Sequence, residues 1–288
     1  MQVGFLGLGT MGAAMASRLV GTVDLVPWNR STGALEQFTA RGIEPASTAK
    51  EALACELSFS MLANDAVTDE ILATENLVSG TIHVCMASVS PALATKLAAR
   101  FEEAQATFVS APVVGRPHVA ESGQLNILTA GPKDAIDKAQ SIFDLMGKRT
   151  WILGVAPSKA NLVKIAVNYN ILHTIQSLAE SVAIVEKHGV DAKEFIDVLT
   201  GTLFAGVAHT GYGAQVANSS YEPTMFSMEL GRKDLALAMQ AAEEVGLQLP
   251  SANLLDGLLE QALSDPDLES KDWAAMAEIT LGRRPSKD

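Results

Sequence analysis

Residues 2–12, QVGFLGLGTMG, determine the fold expected for the N-terminal half of the chain. The apolar run QVGFL is typical of a strand, and MGAAMASRLV has a helical pattern. Between them, glycine at 7 permits a tight turn, at 9 lets the backbone approach a pyrophosphate, and at 12 allows close helix–strand packing. The helix N-terminus adds unpaired N–H groups for phosphates. We therefore predict a dinucleotide-binding turn formed by Gly7, Leu8, Gly9, Thr10, Met11 and Gly12. The alternative is a glycine-rich turn that binds no ligand.

Beyond this turn, short apolar runs alternate with helical patterns up to about residue 150, which indicates βαβ units and a mostly parallel sheet. After residue 154 the strand signal stops, and residues 159–189 predict one helix of roughly 30 residues. The expected fold is an α/β Rossmann-type dinucleotide-binding domain over residues 1–156. An all-α domain over residues 157–288, expected to hold the substrate, follows and is joined to the first by the long helix. The polar tail, residues 281–288, is expected to fray.

The predicted second strand ends in Asn29, Arg30, Ser31 and Thr32. An NAD-binding domain usually has Asp or Glu about 20 residues after the glycines, where it binds the ribose 2′-hydroxyl. Here no carboxylate is present, and a guanidinium with hydroxyls suits the 2′-phosphate of NADP because Arg forms paired charged hydrogen bonds with phosphate. We predict NADP as the cofactor, with NAD as a second option. The alternative for Arg30 is a solvated loop arginine.

The segment MASVSP, residues 86–91, follows a predicted strand and opens a helix. Pro91 is expected at the first helical position, with Ser90 as the N-cap. Ser88 lies at the carboxyl end of the strand, where ligands of open α/β sheets bind. We predict that Ser88 contacts a bound ligand.

The long helix carries NLVKIAVN, residues 161–168, in which Asn161, Lys164 and Asn168 share one face. Burial there would lower the pKa of Lys164 toward neutrality, so that its side chain donates a proton to a carbonyl or takes one from an alcohol. The alternative is a surface lysine whose ammonium reaches water.

Composition excludes several other classes. A net charge of −12 without a basic cluster argues against nucleic-acid binding. The two cysteines, Cys55 and Cys85, lie in apolar surroundings that favour reduced thiols, and no apolar run reaches membrane-spanning length. We expect a cytoplasmic protein with no membrane partner. The five histidines have no metal-ligand spacing, so no metal site is expected.

These segments together resemble the β-hydroxyacid dehydrogenase family, which includes 3-hydroxyisobutyrate dehydrogenases and glyoxylate/succinic semialdehyde reductases and is related to 6-phosphogluconate dehydrogenase. Four segments carry the resemblance along nearly the whole chain: FLGLGTMGAAMASRL, MASVSP, NLVKIAVN and ELGRKDLALAMQAAEEVGLQLP. Their order and separations match the family's pattern.

The resemblance implies roles for individual residues. Lys164 takes the place of the catalytic acid/base, and Asn168 that of its partner on the substrate oxygen. Lys233 is implied to lie over the cofactor, and Leu62 and Ala63 to form the loop after the fourth strand near the nicotinamide ribose. Ser88 takes the place of the hydroxyl that contacts the cofactor, in a loop that also contacts the substrate. The family pattern also implies a homodimer or homotetramer built through the helical domains.

Two positions depart from the family pattern. The substrate-carboxylate loop, usually Ser-Gly-Gly after APV, is replaced by Val114, Gly115 and Arg116 here. The serine that usually precedes Ser88 is Ala87. Both changes remove hydroxyl donors, and Arg116 either replaces them as an anion clamp or points away.

The predicted enzyme is an NAD(P)-dependent dehydrogenase or reductase acting on CH–OH. It transfers hydride between NADP(H) and a small hydroxyacid or its aldehyde or keto form. One alternative is imine reduction, which related proteins perform on the same fold but usually without lysine at the Lys164 position. A second is a non-catalytic NADP-binding sensor, which would need no proton-transfer groups.

Overall fold

The computed structural model describes residues 1–283 and divides the chain into two compact units, Met1–Lys164 and a second that begins at Ile165. The division lies inside one continuous helix, Ser158–Lys187. The domain boundary predicted after residue 156 stays a prediction.

Within the first unit, which is described throughout, eight strands form two sheets. The strands are β1 (Gln2–Leu6), β2 (Asp24–Trp28), β3 (Leu57–Ser60), β4 (Ile82–Cys85), β5 (Thr107–Ser110), β6 (Val113–Val114), β7 (Leu125–Thr129) and β8 (Gly147–Ile152). The larger sheet is entirely parallel, with strand order β2-β1-β3-β4-β5. In the smaller sheet, β6-β7-β8, only β6 runs antiparallel to its neighbour. The predicted α/β class with a mostly parallel sheet is confirmed.

The helices of the first unit follow the strands in the expected alternation. They are α1 (Thr10–Ser17), α2 (Glu36–Thr39), α3 (Ala49–Leu53), α4 (Asp65–Ile71), α5 (Pro91–Glu103), α6 (Pro117–Glu121), α7 (Lys133–Met146) and the start of α8 (Ser158–Lys187). Side-chain caps begin three of them: Thr48, Asn64 and Ser90 accept hydrogen bonds from backbone N–H groups three residues further on.

Two elements differ from the sequence prediction. The pattern at residues 31–42 predicts one helix, but the chain forms a 3-10 turn, Thr32–Leu35, followed by the single turn of α2. The apolar run at residues 106–114 predicts one strand, but it is divided into β5 and β6. Pro112 lies at the break and has no N–H group to continue a ladder.

Apolar side chains cover both faces of the parallel sheet. Val3 and Phe5 pack into one cluster, which includes Phe143 of α7, while Leu6 packs into a second with Phe101 of α5. Successive residues of a strand point to opposite faces, so burial on both sides requires the continuous apolar run seen in β1. This packing fixes the strand ends that carry the glycine turn.

The second unit is helical over its described residues. Besides the rest of α8, it contains α9 (Ala192–Gly201), α10 (Val207–Asn218), α11 (Met228–Glu243), α12 (Ala252–Leu263) and α13 (Ala277–Leu281). Its core is built around Trp273, which is 2% exposed and donates from Nε1 to Tyr212 OH over 3.1 Å. No helix among residues 1–283 is long and apolar enough to cross a membrane.

The C-terminal tail is more ordered than predicted where it is described. Arg283 binds Glu186 through two hydrogen bonds of 3.0 and 2.8 Å and donates to Val216 O over 2.7 Å. The prediction of fraying is therefore wrong for residues 281–283. Its remaining part, residues 284–288, lies outside the described residues.

Candidate dinucleotide and catalytic site

The three glycines of the first turn have different structural roles. Gly7 has a φ of +87°, which side chains disfavour. A Cβ on Gly12 would lie 1.9 Å from Gly7 O, so only glycine lets α1 pack this closely on the turn. A Cβ on Gly9 would meet no atom within 4 Å. The turn is thus tight at Gly7 and Gly12 and open at Gly9.

The N-terminus of α1 fits an anionic group. Gly9 caps this helix without a side-chain hydrogen bond, so the N–H groups of its first turn have no partner within the helix. These donors and the helix dipole suit a pyrophosphate, and the open space at Gly9 lets it approach the backbone. The residues present therefore fit a dinucleotide cofactor.

This turn lies at the point where the strand order of the parallel sheet reverses. The chain passes from β1 to β2 on one side and then crosses to β3 on the other. Ligands of open α/β sheets bind beside the carboxyl ends of strands at such a switch point. Leu62 and Ala63 follow β3, which is the third strand of the chain, so the prediction that they follow a fourth strand is wrong.

Asn29 connects the glycine turn to the end of β2. Its Oδ1 accepts a hydrogen bond of 2.9 Å from Leu8 N, and its Nδ2 donates to Ser31 O and Ser31 Oγ over 3.0 and 2.9 Å. The sequence predicts Asn29 and Ser31 as cofactor contacts. The structure shows that both also shape the backbone on which such contacts depend.

Arg30, predicted to bind the 2′-phosphate, lies at the surface. Its Nη2 lies 2.7 Å from Glu70 Oε2 of α4, and the two side chains are 59% and 63% exposed. Thr32, the next predicted contact, is also exposed and begins the short 3-10 turn. Sequence analysis did not single out Glu70, which is 40 positions away from Arg30.

Residues 86–90, which we call the pinned loop, are held by three different elements. Ser90 Oγ accepts from Leu93 N over 3.1 Å, which confirms it as the N-cap of α5, and Ser90 N donates to the Asp65 carboxylate over 3.1 and 3.2 Å. Val89 O accepts from Asn161 Nδ2 of α8 over 3.1 Å. The backbone immediately after Ser88, at Val89 and Ser90, is therefore fixed.

Lys164 lies one turn after Asn161 on the same face of α8 and is buried. Its side chain is 9% exposed, and Asn161 is 1% exposed. This burial contradicts the interpretation of Lys164 as a surface lysine. The hydrogen bond from Asn161 to the pinned loop attaches the start of α8 to the carboxyl end of β4, and this attachment positions Lys164 within the first unit.

In the second unit, Asn168 is tied to α11. It is 3% exposed, and its Nδ2 donates to Asp234 Oδ2. Asp234 is 2% exposed, and Lys233 Nζ lies 3.5 Å from its Oδ1. Sequence analysis identified Lys233 but not Asp234, because nothing in the pattern shows that this carboxylate faces Asn168. A contact of Lys233 with the cofactor stays a prediction.

The predicted substrate segment begins in a strand rather than in a loop. Val114 is the last residue of β6 and pairs with Asn126 of β7, so only the residues after it form a turn. Gly115 has a φ of +155°, and Arg116 is the N-cap residue of α6. The backbone therefore changes direction between Val114 and Arg116.

One histidine, His83, is buried in the sheet, where both of its ring nitrogens contact serine hydroxyls. His83 of β4 is fully buried, with Ser58 Oγ 2.8 Å from its Nδ1 and Ser60 Oγ 2.9 Å from its Nε2. Burial lowers the pKa of His83 to about 3, which keeps the ring neutral. Among residues 1–283, no group of three or more His, Cys, Asp or Glu side chains could hold a metal ion.

The two units match two family descriptions in sequence. Residues 2–154 match the NAD binding domain of 6-phosphogluconate dehydrogenase, and residues 158–280 match the NAD-binding region of NADP-dependent 3-hydroxyisobutyrate dehydrogenase. Together with the fold and the glycine turn, these two matches define an NADP(H)-dependent oxidoreductase.

Individual relatives and structures agree with this class. The chain is 31% identical to the oxidoreductase YfjR of Bacillus subtilis, covering 96% of this chain and 98% of that protein. It is 30% identical to glyoxylate/succinic semialdehyde reductase 2 of Arabidopsis thaliana, covering 96% of this chain and 79% of that one. The chain belongs to the β-hydroxyacid dehydrogenase family.

Solved structures share the fold at lower identity. The 3-hydroxyisobutyrate dehydrogenase of Mycobacterium tuberculosis, solved with L-serine, has a TM-score of 0.87 at 24% identity, covering 96% of this chain and 98% of that one. An imine reductase of Streptomyces aurantiacus has a TM-score of 0.65 at 22% identity, covering 99% and 100%. The fold of this chain therefore matches the first of these two structures more closely.

Proposed function

We propose that this enzyme interconverts a small hydroxyacid and its aldehyde or keto form, with Lys164 as the proton carrier. NADP(H), when bound, supplies or accepts the hydride. The observation that carries the proposal is the buried Lys164 on a helix whose start is attached to the pinned loop. A proton-transfer group is thereby fixed on α8, which is attached through Asn161 to the loop at the carboxyl end of β4.

Proton transfer is assigned to the face of α8 that carries Lys164 and Asn168. In the reducing direction, Lys164 Nζ donates a proton to the substrate oxygen as the carbonyl becomes a hydroxyl, and in the oxidising direction it takes that proton back. Asn168 lies one turn further along the helix. Its Nδ2 donates to Asp234 Oδ2, and we assign the amide of Asn168 to the substrate oxygen by the family match.

Around the cofactor, the glycine turn binds the pyrophosphate, and Arg30 with Thr32 binds the 2′-phosphate. Leu62, Ala63 and Lys233 are assigned to the cofactor by the family match. The pyrophosphate assignment rests on the open space at Gly9, and the 2′-phosphate assignment rests on the absence of a carboxylate in the sequence at the end of β2.

The substrate class follows from the relatives and from two departures in this chain. The Arabidopsis relative is named as a reductase of glyoxylate and succinic semialdehyde. Here Ala87 is 2% exposed and Val114 is half-buried, and both stand where the family usually has serine. We assign the substrate contacts to Ser88, Val114, Gly115 and Arg116, and the pocket favours semialdehydes with a longer apolar body. We further propose a cytoplasmic homodimer or homotetramer.

The test replaces Lys164 and a matched lysine of the same helix. Lys164→Ala or Lys164→Met lowers turnover by about 10²- to 10⁴-fold, the usual contribution of a general acid/base, with NADPH affinity nearly unchanged. Lys164→Arg is nearly as inactive because guanidinium holds its proton at neutral pH. Lys159→Ala, in the exposed part of the first turn of α8, retains full turnover. NADPH fluorescence titrations and thermal unfolding on the same samples distinguish lost chemistry from lost folding.

The contrary result has a clear consequence. If Lys164→Ala keeps most of its turnover, the lysine is structural and another proton donor is needed. The sequence offers Ser88, Tyr169 and His173 as alternatives. In the structure Tyr169 and His173 both contact Ser251, with His173 Nε2 2.6 Å from its Oγ.

NADPH oxidation with a panel of small aldehydes and cyclic imines distinguishes the proposed activity from imine reduction and from a non-catalytic sensor. Turnover of aldehydes alone supports the proposal, turnover of imines alone indicates imine reductase activity, and NADPH binding without any turnover indicates a sensor.

A further inference from the structure

We propose that Glu70 sets the strength of the preference for NADP over NAD by pairing with Arg30, so that the 2′-phosphate must displace a carboxylate to bind. This inference rests on the proposed role of Arg30 as the phosphate-binding side chain. It adds a specificity-determining residue on a different element, α4.

The geometry places the pair at the cofactor turn. Arg30 follows Asn29, whose side chain accepts the hydrogen bond from Leu8 N, so the backbone of Arg30 is tied to the glycine turn. Its guanidinium reaches across to α4 and binds Glu70 Oε2 over 2.7 Å.

The neighbouring carboxylate of α4 is already occupied. Asp69 accepts from Lys96 Nζ and Arg100 Nη2 over 2.8 and 2.7 Å, and the hydrogen bond from Lys96 lowers its pKa. Glu70 is thus the α4 carboxylate that binds Arg30.

Because the ion pair between Arg30 and Glu70 is exposed, another anion can replace Glu70 on the guanidinium. Both side chains are more than half exposed, and ion pairs in water contribute little because solvent screens them. A phosphate monoester carries about 1.5 to 2 negative charges at neutral pH and forms stronger paired hydrogen bonds with guanidinium than a single carboxylate oxygen does. The 2′-phosphate of NADP therefore displaces Glu70.

NAD carries a neutral hydroxyl at the same place, and a hydroxyl does not compete with a carboxylate for guanidinium. The pair consequently persists when NAD is bound. Glu70 weakens NADP binding selectively, and its removal should widen the preference.

The experiment measures dissociation constants for NADPH and NADH by fluorescence titration of the full chain. Glu70→Gln keeps the shape of the side chain and removes its charge. We expect it to tighten NADPH binding by about two- to fivefold, the range of an exposed ion pair, and to change NADH binding by less than about 1.5-fold. Glu75→Gln, at an exposed position just after α4, removes the same charge and should change neither constant.

A second probe isolates the adenosine end of the cofactor. Adenosine 2′,5′-bisphosphate, which carries the 2′-phosphate but no nicotinamide, should bind Glu70→Gln more tightly by the same factor, while AMP should not.

The double variant tests whether Glu70 acts through Arg30. In the Arg30→Ala background, Glu70→Gln should leave the NADPH dissociation constant unchanged. A persistent gain there, or equal tightening of NADPH and NADH, would mean that Glu70 acts as a general negative charge, and it overturns the inference. If Arg30→Ala weakens NADPH but Glu70→Gln has no effect, the inference fails and the role of Arg30 stands. If Arg30→Ala itself leaves the NADPH to NADH ratio unchanged, the proposed role of Arg30 fails first.

Discussion

Replacing Gly12 and Gly9 separately by alanine distinguishes the folding role of the glycine turn from its binding role. At Gly12 the added Cβ would lie 1.9 Å from Gly7 O, whereas van der Waals contact needs about 3.5 Å. The helix α1 must therefore move away from the turn by more than 1 Å. Overpacking usually costs about 1 to 3 kcal/mol, and because the obstacle is backbone we expect the upper end for Gly12→Ala.

Gly9→Ala should behave in the opposite way. Its Cβ would meet no atom within 4 Å, and the backbone, with φ of −66° and ψ of −175°, is accessible to alanine. Stability should stay equal or rise by about 0.4 to 1 kcal/mol, because alanine restricts the unfolded chain. The added methyl occupies the space through which the pyrophosphate approaches, so NADPH affinity should fall at least about tenfold, or 1.4 kcal/mol.

Thermal unfolding followed by circular dichroism, with NADPH titrations on the same preparations, measures both effects. About 3 kcal/mol lowers the melting temperature of a domain of this size by about 6 to 12 °C. The reasoning fails if Gly12→Ala unfolds at the temperature of the parent, or if Gly9→Ala binds NADPH as the parent does.

Three further predictions concern pH, the C-terminus and the substrate. The folded-state pKa of His83, about 3, lies below its ordinary value of 6.5, so stability is lost as pH falls between these values, by up to about 1.4 kcal/mol per pH unit. His83→Gln should flatten this dependence in urea unfolding between about pH 4 and 6; an unchanged slope would contradict the assignment. Arg283→Ala should destabilise the chain by about 1 to 2 kcal/mol in the same assay, and the loss should be smaller in a Glu186→Gln background; full additivity would argue against the pair. Succinic semialdehyde should exceed glyoxylate in kcat/KM with NADPH, and a clear preference for glyoxylate would instead indicate that Arg116 clamps the carboxylate.

Local signals were sufficient for the elements that form the site. The run QVGFL followed by three glycines predicted β1, the turn and α1, and the sequence Ser-Pro predicted the start of α5 at Pro91. The helical period of residues 159–189 predicted α8 nearly to its ends. In each case the physical cause lies within a few consecutive residues, which is why the pattern shows it.

Contacts between distant residues were not predictable in the same way. Asp65 holds the backbone of Ser90 from 25 positions away, and Asp234 holds Asn168 from 66 positions away. These carboxylates lie in otherwise ordinary helical patterns, and only the packing of helices shows which group each one faces. The wrong strand count before Leu62 has a different cause, because it was taken from the family pattern and not from the strands of this chain.

The pinned loop has a consequence for redesign of the enzyme. Its backbone is fastened at Val89 and Ser90 by Asp65, by the cap of α5 and by Asn161, and none of these hydrogen bonds uses the side chain of Ser88. A new side chain at the half-buried Ser88 would lie beside this fixed backbone without the cost of ordering a flexible segment, whereas a larger side chain at Ala87, which is 2% exposed, would overpack the core. Altering selectivity here is therefore a matter of exchanging side chains, in contrast to active sites whose loops must be remodelled together with their ligands.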